Sequence, residues 1–499
     1  MTTAARALTI SLEGLSGRVV AVDARAEPGS GELHIKGHRT EAAARETRVR
    51  VLSALVHCGE RLDGFNVTVS LGHAPMYGGA PFDLAIAVAV LAALGRIQEA
   101  AIQDTAFLGE LSLSGDLNPI RGVLPLLLAT KSAMFDTVIV PLANEAEAAI
   151  ADRPTLAARN LGEVIELLKD AREPGSPIPY REPVPALRTD ADMSDLRGNP
   201  TARRAVEIAA AGGHNILLLG PPGAGKTLLA RQIPGLLPVL TRGELLEVTQ
   251  IQSVAGLIGS KGYADVRPFR APHHSVSEAG LLGGGTAMRA GEVSLAHNGV
   301  LFLDELLEFQ GSTLESLGNV LRQGAVTTSR CGVEGFPARP LVVASASSCP
   351  CGASGTARPC KCSTAVVGRH RARLRELLSM FDIRVTMHSV SPAELVSDPT
   401  AETSDVVRAR VTRARELQAE RGRETGRGYL NKHAALKDLT RKTLSDAARG
   451  IVEKLFDAGP PSDVTALLRV SRTIADLDGS EEITAPHMVE AIDLRTSSL

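Results

Sequence analysis

The amino-acid sequence predicts an α/β protein with more than one domain. Two short apolar runs, at residues 215–219 and 299–303, have the pattern of buried parallel strands, and polar residues typical of a ligand site follow each run. Residues 400–499 instead show helical patterns. Because the chain has 499 residues, which is too many for one hydrophobic core, we expect roughly two to four domains.

Shifts in composition divide the chain into several predicted segments. Residues 1–170 alternate strand-like and helix-like stretches, which indicates an α/β domain of its own. Residues 171–195 contain five prolines and predict a partly extended linker. Residues 196–395 contain both apolar runs and predict a second α/β unit, whereas residues 396–499 predict a helical segment.

The clearest local signal is the segment GPPGAGKT at residues 220–227, which matches the phosphate-loop pattern G-x-x-x-x-G-K-S/T. It follows an apolar run and precedes a helical pattern, so backbone N–H groups and a helix N-terminus would face a polyphosphate. We predict that Lys226 contacts the β- and γ-phosphates and that the Thr227 hydroxyl binds Mg²⁺. The predicted nucleotide-binding residues are Gly220, Pro221, Pro222, Gly223, Ala224, Gly225, Lys226 and Thr227.

The second apolar run ends in two acidic residues, Asp304 and Glu305. Acids at the carboxyl end of a parallel strand belong in the crevice where ligands bind. Asp304 is therefore predicted to hold Mg²⁺ through water, and Glu305 to orient and polarise the attacking water. The phosphate loop alone predicts ATP or GTP. The alternative interpretation is a glycine turn that only closes a strand, beside an acidic turn in solvent.

The chain has six cysteines, too few for a disulfide framework in 499 residues. Four of them form two close pairs, Cys349 with Cys351 and Cys360 with Cys362. This grouping predicts a tetrahedral structural zinc site, although the C-x-C spacing is tighter than the usual C-x₂-C. The alternatives are four reduced structural thiols, or a site in which Cys331 competes as a ligand.

Composition and charge restrict the possible functions. The net charge of −2 excludes binding of nucleic acid through overall charge, so any such surface must be local. No stretch is long and apolar enough to span a bilayer, and the N-terminus lacks the apolar core of a signal peptide. We therefore expect a cytoplasmic protein without a membrane partner.

Beyond these motifs, several stretches resemble the magnesium-chelatase-like AAA+ family, in particular its ComM/YifB branch. The resemblance is carried by residues 207–220, 268–275, 291–306 and 468–479. Residues 109–120 resemble the Lon-protease-like domain that precedes the ATPase in this branch. The resemblance implies an N-terminal Lon-protease-like α+β domain, a central AAA+ P-loop α/β core and a C-terminal helical lid.

The resemblance also implies a function. Family members form AAA+ rings, often homo-hexamers, with ATP sites between subunits, and ComM-type members are implicated in DNA branch migration during natural transformation. We therefore expect an ATPase that uses ATP and Mg²⁺ as a helicase or branch-migration motor on single-stranded or branched DNA. Two alternatives stay open: a chelatase-like or chaperone-like ATPase that remodels a protein partner, and an ATP-binding scaffold with weak hydrolysis.

The sequence departs from the family at residues that serve ATP hydrolysis. Ser347 stands where the family has an asparagine that senses the γ-phosphate, and we assign it this catalytic role as a shorter hydrogen-bonding group. Ser379 and Met380 replace an Asp-Arg pair whose arginine acts on the neighbouring subunit's nucleotide. Because such an arginine is worth roughly 10³–10⁵ in rate, hydrolysis is expected to be slow without a substitute. The candidate substitutes are Arg371, Arg373, Arg375 and Arg384.

Two further comparisons with the family concern the lid and the Lon-like domain. In the lid, Arg469 and Arg472 are candidates for a second nucleotide sensor. In the Lon-like domain, Ala80 and Pro81 stand where a protease has its serine, and Leu124 stands where it has its lysine. We expect no peptidase activity, since covalent peptide hydrolysis needs a nucleophile and a base.

The sequence offers two kinds of candidate for contacts with DNA, and one histidine pair whose role stays open. Arginines at residues 369–384 and 408–427 could meet phosphates, but the glutamates interleaved in the second run favour a solvated helix face. Arg330 lies in a loop that resembles the pore hairpin of related AAA+ proteins. His273 and His274 are assigned to packing as readily as to ligand binding.

Overall fold

The computed structural model describes most of the chain in atomic detail. The described residues are 3–38, 40–72, 82–129, 135–169, 176–188, 191–284, 289–326, 335–353, 359–396, 401–425, 430–440, 443–458 and 461–496. The predictions made for Ala80, Pro81, Arg330 and Cys331 lie outside these residues. Within them, no helix has the length and apolar character needed to cross a membrane.

The first part of the chain forms a seven-stranded mixed sheet and a small hairpin. The strands are β1 Thr3–Glu13, β2 Ser16–Pro28, β3 Leu33–Lys36, β4 Phe65–Leu71, β5 Thr105–Phe107, β6 Glu110–Leu111, β7 Leu117–Asn118, β8 Thr137–Pro141 and β9 Thr155–Ala158. The sheet has the order β3-β4-β2-β1-β5-β8-β9, and β6 pairs with β7 in the hairpin. A long antiparallel pair, β1 with β2, lies at its centre, and β5, β8 and β9 extend it in parallel.

Helices cover this sheet, and one of them forms the centre of its core. The helices are α1 Glu41–His57, α2 Asp83–Ala93, α3 Val123–Ala129, α4 Glu145–Ala148 and α5 Leu161–Lys169. Every residue of α2 except Ala92 is buried, which explains the unbroken apolar run in the sequence. Asp83 at the start of α2 forms an ion pair with Arg50 of α1, with 2.7 Å between Oδ2 and Nε.

The second large sheet has five strands, and all neighbouring strands in it are parallel. Its strands are β10 Ile216–Leu219, β11 Phe269–Arg270, β14 Val300–Leu303, β15 Leu341–Ala346 and β16 Ile383–Thr386, and a separate hairpin joins β12 Gly283–Gly284 to β13 Arg289–Ala290. The strand order is β11-β14-β15-β10-β16. Every residue of β10, β14 and β15 is buried, which explains their continuous apolar sequences.

Helices pack on both faces of this parallel sheet. The helices of this part of the chain are α6 Pro200–Gly212, α7 Lys226–Leu236, α8 Arg242–Ala255, α9 Glu278–Leu282, α10 Glu292–Leu295, α11 Gly311–Gln323, α12 Thr364–Leu377 and α13 Pro392–Val396. Ile216 and Leu218 of β10 pack with α6 and α7, whereas Leu217 and Leu219 pack with α11 and α12 on the opposite face. This arrangement confirms the predicted α/β fold and brings the carboxyl ends of β10, β14 and β15 to one edge.

The C-terminal part of the chain is helical, as predicted. Its helices are α14 Ser404–Thr425, α15 Leu436–Thr440, α16 Asp446–Ala458, α17 Pro461–Leu477 and α18 Ala485–Thr496. Apolar residues of these helices share one core with α6 and α7. Arg415 Nε and Gln418 Nε2 of α14 donate to the carbonyls of Ala210 and Ala211, at 2.9 and 3.1 Å. These contacts satisfy carbonyl groups in the last turn of α6.

A buried contact joins the N-terminal sheet to the part of the chain that carries the phosphate loop. Leu127 of α3 and Val248 of α8 belong to one apolar cluster. Beside them, Glu147 of α4 accepts hydrogen bonds from the Leu124 N–H, at 2.7 Å, and from the Ser253 hydroxyl of α8. Leu124 is itself fully buried.

The described part of the proline-rich segment, residues 176–188, forms neither helix nor strand. Its backbone nevertheless contacts both neighbouring parts of the chain. The Ile178 N–H donates to the Thr155 carbonyl, and the Ala186 N–H donates to the Asp265 carbonyl, both at 2.7 Å. The described part of this segment is therefore hydrogen-bonded to both neighbouring parts of the chain.

Candidate nucleotide-binding site

The segment 220–227 connects the carboxyl end of β10 to the first turn of α7. Gly225 precedes the helix with a φ of 87°, in the left-handed region that glycine adopts without strain. Gly220 approaches the backbone closely, since a Cβ built on it would lie 2.5 Å from the Met387 carbonyl oxygen. These glycines let the loop turn sharply and present the N-terminus of α7 to a ligand.

Lys226 is folded back over the loop that precedes it. Its Nζ donates to the carbonyl oxygens of Gly220 and Pro221, at 2.8 Å each. Burial lowers the pKa of Lys226, and the nearby carboxylates of Asp304 and Glu305 act in the opposite direction. A polyphosphate would offer this amine charged acceptors in place of neutral carbonyls, which makes stronger hydrogen bonds.

Thr227 and Asp304 meet at the same edge of the sheet although 77 positions separate them in the sequence. The Thr227 hydroxyl donates to Asp304 Oδ2, at 3.3 Å. Hydroxyl and carboxylate oxygens of this kind hold Mg²⁺ beside nucleotide phosphates. The structure thus brings together the two side chains predicted as magnesium ligands.

Ser345 contacts both acidic residues and was not predicted from the sequence. Its hydroxyl donates to Asp304 Oδ1 at 2.5 Å and accepts a hydrogen bond from the Glu305 N–H at 3.0 Å. Ser345 is the fifth residue of β15 and is 1% exposed. The available signal was a polar residue inside a fully buried apolar strand, because a buried hydroxyl needs a partner.

Glu305 has a left-handed backbone conformation, with a φ of 53°. Its side chain is 70% exposed, lines the cavity described below and lies 4.0 Å from His274, measured from Oε2 to Nδ1. The carboxylate is therefore accessible to a water molecule in the cavity, as a residue that orients the attacking water must be.

These groups surround one cavity of about 580 Å³. The volume lies within the range of small-molecule sites. Its walls come from the phosphate loop, the acidic residues after β14, the end of β15 and the cysteine-containing loop after it. The lining residues include Pro222, Gly223, Gly225, Lys226, Thr227, His274, Asp304, Glu305, Ser345, Ser347, Pro350, Cys351, Gly352 and His370.

Ser347 lines this cavity, but its hydroxyl is bonded to the cysteine loop. It donates to the Cys349 carbonyl at 2.8 Å, and the Ser347 carbonyl accepts from His370 Nε2 at 2.8 Å. His370 also lines the cavity and was not singled out from the sequence. The predicted sensing role of Ser347 stays a prediction.

Arg469 and Arg472 do not line this cavity. Arg472 is buried, and its Nε donates to Asp476 Oδ1 at 3.0 Å. Arg469 Nε donates to the Ala434 carbonyl at 2.9 Å. Both side chains therefore stabilise the helical C-terminal part here, and their role as nucleotide sensors stays a prediction.

The candidate substitutes for the missing arginine differ in their contacts. Arg373 donates to the Phe309 carbonyl at 2.7 Å, and Arg384 donates to the carbonyls of Leu378 and Arg495 at 3.2 Å. Arg375 is exposed near the end of α12. Arg371 is partly buried on the same helix.

The four clustered cysteines come together in space. The sulfur atoms of Cys349, Cys351, Cys360 and Cys362 all lie within 4.8 Å of one another. Hydrogen bonds from the Ala353 backbone and from neighbouring thiols lower the pKa of Cys351 to about 6, which favours the thiolate that binds metals. Four sulfur ligands at such separations fit tetrahedral Zn²⁺.

A second cavity, of about 330 Å³, lies at the carboxyl end of β16. The side chain of Asn199 clamps the backbone of His388 there, since its Oδ1 accepts from the His388 N–H at 2.8 Å and its Nδ2 donates to the His388 carbonyl at 2.9 Å. Pro200, Thr201, Val385 and other residues line this cavity.

A phosphate loop after a central parallel strand, with acidic residues at the end of the next strand but one, defines a P-loop ATPase domain of the AAA+ type. Comparison with protein families supports this assignment along the chain. Residues 192–395 match the family described as Magnesium chelatase, subunit ChlI. Residues 22–144 match Subunit ChlI of Mg-chelatase, and residues 401–495 match Magnesium chelatase, subunit ChlI C-terminal.

Curated relatives extend over almost the whole chain. An uncharacterised protein of Mycobacterium tuberculosis is 38% identical over 98% of both chains. Competence protein ComM of Haemophilus influenzae and uncharacterised protein YifB of Escherichia coli are each 36% identical over 91% of this chain and 90% of the relative. The chain therefore belongs to the magnesium-chelatase family and, within it, to the ComM/YifB type.

Proposed function

We propose that this chain hydrolyses ATP in the cavity between its phosphate loop and its two acidic residues. The observation that carries the proposal is the convergence of Lys226, Thr227, Asp304 and Glu305 on one cavity from separate elements of the sheet. This set supplies a phosphate-binding amine, two magnesium ligands and a carboxylate for water, which are the groups that one subunit contributes to phosphoryl transfer to water.

Each group has a separate role in the proposed reaction. Lys226 exchanges its carbonyl partners for the β- and γ-phosphates. Thr227 and Asp304 offer the oxygen ligands that Mg²⁺ takes, and the metal neutralises charge on the phosphates when it is bound. Glu305 orients the attacking water and polarises its O–H bond, because its exposed carboxylate lines the cavity.

We propose that the base of the nucleotide binds in the second cavity, at the carboxyl end of β16. β16 is the neighbour of β10, so this cavity opens at the same sheet edge as the phosphate loop. The clamp between Asn199 and His388 holds the walls of this cavity together. An Asn199→Ala variant should therefore weaken ATP binding without removing it.

The test of hydrolysis is steady-state phosphate release with ATP and Mg²⁺. Wild-type protein should turn over, Lys226→Ala should lose ATP binding, and Glu305→Gln should bind ATP but hydrolyse it at least tenfold more slowly. Lys261→Ala is the matched control, because Lys261 is an exposed lysine paired with Asp265. Equal rates for wild type and Glu305→Gln would show that the measured turnover comes from another source.

We further propose a domain organisation and an assembly. Residues 1–170 form a Lon-protease-like domain without a catalytic dyad, residues 171–195 a linker, residues 196–395 the AAA+ core and residues 396–499 the lid. The subunits assemble into a ring, such as a hexamer, with ATP sites between neighbours. Light scattering with and without ATP tests this assembly, and a monomer under both conditions contradicts it.

In such a ring, a substitute arginine comes from helix α12. Arg371 and Arg375 are the better candidates because Arg373 and Arg384 are bonded to carbonyl oxygens of their own chain. Replacement by alanine of whichever of these two arginines acts on the neighbouring nucleotide should lower ATP turnover without weakening ATP binding. Mixing that variant with Lys226→Ala should restore part of the activity, since each mixed interface then combines an intact loop with an intact arginine.

The proposed use of ATP is to drive movement on single-stranded or branched DNA. Competence protein ComM of Haemophilus influenzae is a relative whose name links it to competence, and Arg369 on α12 is exposed, so that a DNA phosphate could reach it. Several arginines of α14 instead make hydrogen bonds inside the chain. Groups of α6, α7 or α17 accept these bonds from Arg408, Arg410, Arg415 and Arg421. This internal use favours α12 over α14 as the DNA-contacting helix.

DNA-stimulated ATP hydrolysis tests this use. Stimulation should fall as the salt concentration rises. Contacts between the protein and DNA phosphates release bound counterions, and this release becomes less favourable at high salt. Arg369→Glu should reduce stimulation, and Arg413→Glu, at an exposed position of α14, is the control. ATP hydrolysis without stimulation or DNA binding would favour a remodeller of protein partners, and ATP binding without hydrolysis would favour a scaffold.

The cysteine cluster is proposed to hold one structural Zn²⁺. The four sulfur atoms lie within 4.8 Å of one another, close enough to serve together as ligands of one tetrahedral zinc ion, and Cys349 is buried. The bound metal would fix the loop that carries Pro350, Cys351 and Gly352, which form one wall of the nucleotide cavity.

A further inference from the structure

We propose that Ser345 is a positioning residue for ATP hydrolysis, which acts by holding Asp304 and Glu305 in their working geometry. The inference rests on the proposed ATPase function. A serine hydroxyl has one proton to donate and two lone pairs to accept with. The Ser345 hydroxyl donates its proton to Asp304 Oδ1, at 2.5 Å, and one of its lone pairs accepts the hydrogen bond from the Glu305 N–H, at 3.0 Å.

The position of Ser345 is set by the sheet. Residues 341–344 of β15 pair with β14 up to the register pair Leu303 with Ala344. Ser345 therefore lies one residue beyond that pair, opposite the point where β14 passes into Asp304 and Glu305. On its other side Ser345 pairs with Leu218 of β10. A residue held between two strands and 1% exposed gives the hydroxyl a fixed location.

The backbone of Glu305 needs such an anchor. In the described part of the chain, the non-glycine residues with positive φ are Asp152, Asn199, Asn298 and Glu305. Asn and Asp adopt the left-handed region more readily than other residues, because their short side chains can bond to the local backbone. Glutamate does not share this preference, and non-glycine residues held in the left-handed region concentrate at functional sites.

The hydroxyl also completes the support of Asp304. Thr227 contacts Oδ2 of this carboxylate and Ser345 contacts Oδ1, so the two side chains hold it from both oxygens. The contacts of Lys226 and of the loop backbone do not involve Ser345. Removal of the hydroxyl should therefore disturb the orientation of the two acids and leave the phosphate-binding loop intact.

The experiment measures kcat, KM and ATP affinity for full-length Ser345→Ala. We expect kcat to fall at least tenfold, with ATP affinity within twofold of wild type. In a Glu305→Gln background, measured by single turnover, the same substitution should cost a clearly smaller factor in rate than in wild type, because one of the two acids that Ser345 positions is already inactive. Ser294→Ala is the control, since Ser294 is buried in the same part of the chain and its hydroxyl has no partner among the described residues.

The outcomes separate this inference from the proposed function. Wild-type turnover no higher than that of Lys226→Ala would overturn the ATPase function and this inference with it. Normal kcat in Ser345→Ala, an equal rate loss in both backgrounds, or a parallel loss of ATP affinity would overturn the positioning role alone. Ser345→Cys, which preserves the side-chain size with a weaker donor, provides the same measurements if the alanine variant does not fold.

Discussion

Gly352 packs directly against Pro222, so a Cβ built on Gly352 would lie 2.9 Å from both Cδ and Cγ of that proline. Pro222 belongs to the phosphate loop, and Gly352 follows Cys351 of the cysteine cluster. The contact connects two motifs that are more than a hundred positions apart in the sequence. We therefore expect the conformation of the phosphate loop to depend on the conformation of the cysteine loop.

The first prediction concerns this contact. Gly352→Ala should weaken ATP binding at least fivefold, because the new methyl group overlaps Pro222 and the φ of 69° is costly for alanine, by about 1–2 kcal/mol. Titration with a fluorescent ATP analogue measures the change. Gly368→Ala is a suitable control, since a Cβ at that position in α12 meets nothing within 4 Å. Unchanged affinity in Gly352→Ala would contradict the dependence.

The second prediction concerns metal content. Freshly purified protein should contain about one Zn²⁺ per chain, as one tetrahedral four-sulfur site requires. Cys351→Ser should lower the zinc content by at least half and weaken ATP binding through the contact of Gly352 with Pro222. Cys58→Ser, which alters a thiol of the N-terminal part, should keep both properties. Elemental analysis that finds no zinc in wild-type protein rules out the site.

The third prediction concerns the contact between the two large sheets. Glu147→Ala should reduce the free energy of unfolding by about 3 kcal/mol, since it leaves the Leu124 N–H and the Ser253 hydroxyl buried without their acceptor. Urea denaturation measures the loss. Glu145→Ala on the same short helix should cost much less, because Glu145 is exposed. Similar losses for both variants would argue against a special role for Glu147.

The fourth prediction concerns pH. Burial raises the pKa of Asp83 to about 6, with a smaller rise from Glu110, and outweighs the ion pair with Arg50. Between the unfolded value of 3.8 and about 6, the folded protein thus binds a proton that the unfolded chain does not. The stability contributed by this group is complete below pH 3.8 and is lost as pH rises through about 6.

A comparison of wild type with Asp83→Asn isolates this contribution. The stability of wild type relative to the variant should fall by up to about 3 kcal/mol between pH 4 and pH 7. Urea denaturation across this range provides the curve. A constant difference between the two proteins would show that Asp83 has the same pKa in the folded and unfolded states.

The main elements of the site could be predicted because each is local in the sequence. Four apolar residues followed by a glycine loop and a Lys-Thr pair define strand, loop and helix without information from elsewhere. The pairing of Thr227 with Asp304 followed from a general rule, that the carboxyl ends of parallel strands share an edge. The structure agrees with both predictions.

Ser345 and His370 could not be assigned from the sequence. The roles of both depend on which strand lies next to which, and the order β14-β15-β10 is a property of the folded sheet. The same limit applies to the arginines. Arg373 and Arg375 are two positions apart on α12 and both are exposed, yet Arg373 donates a hydrogen bond to the carbonyl of Phe309, a residue 64 positions away in the sequence.

The sequence by itself determined the α/β class, the nucleotide loop, the acidic strand end and the grouping of four cysteines. These features need only short-range patterns, because backbone geometry and ligand chemistry act over a few neighbouring residues. The tertiary structure alone decided that Ser345 contacts both acids, that Gly352 packs against Pro222 and that Glu147 bonds to both α3 and α8. Such contacts join residues that are distant in sequence, and only the packing of the whole chain determines which of them meet.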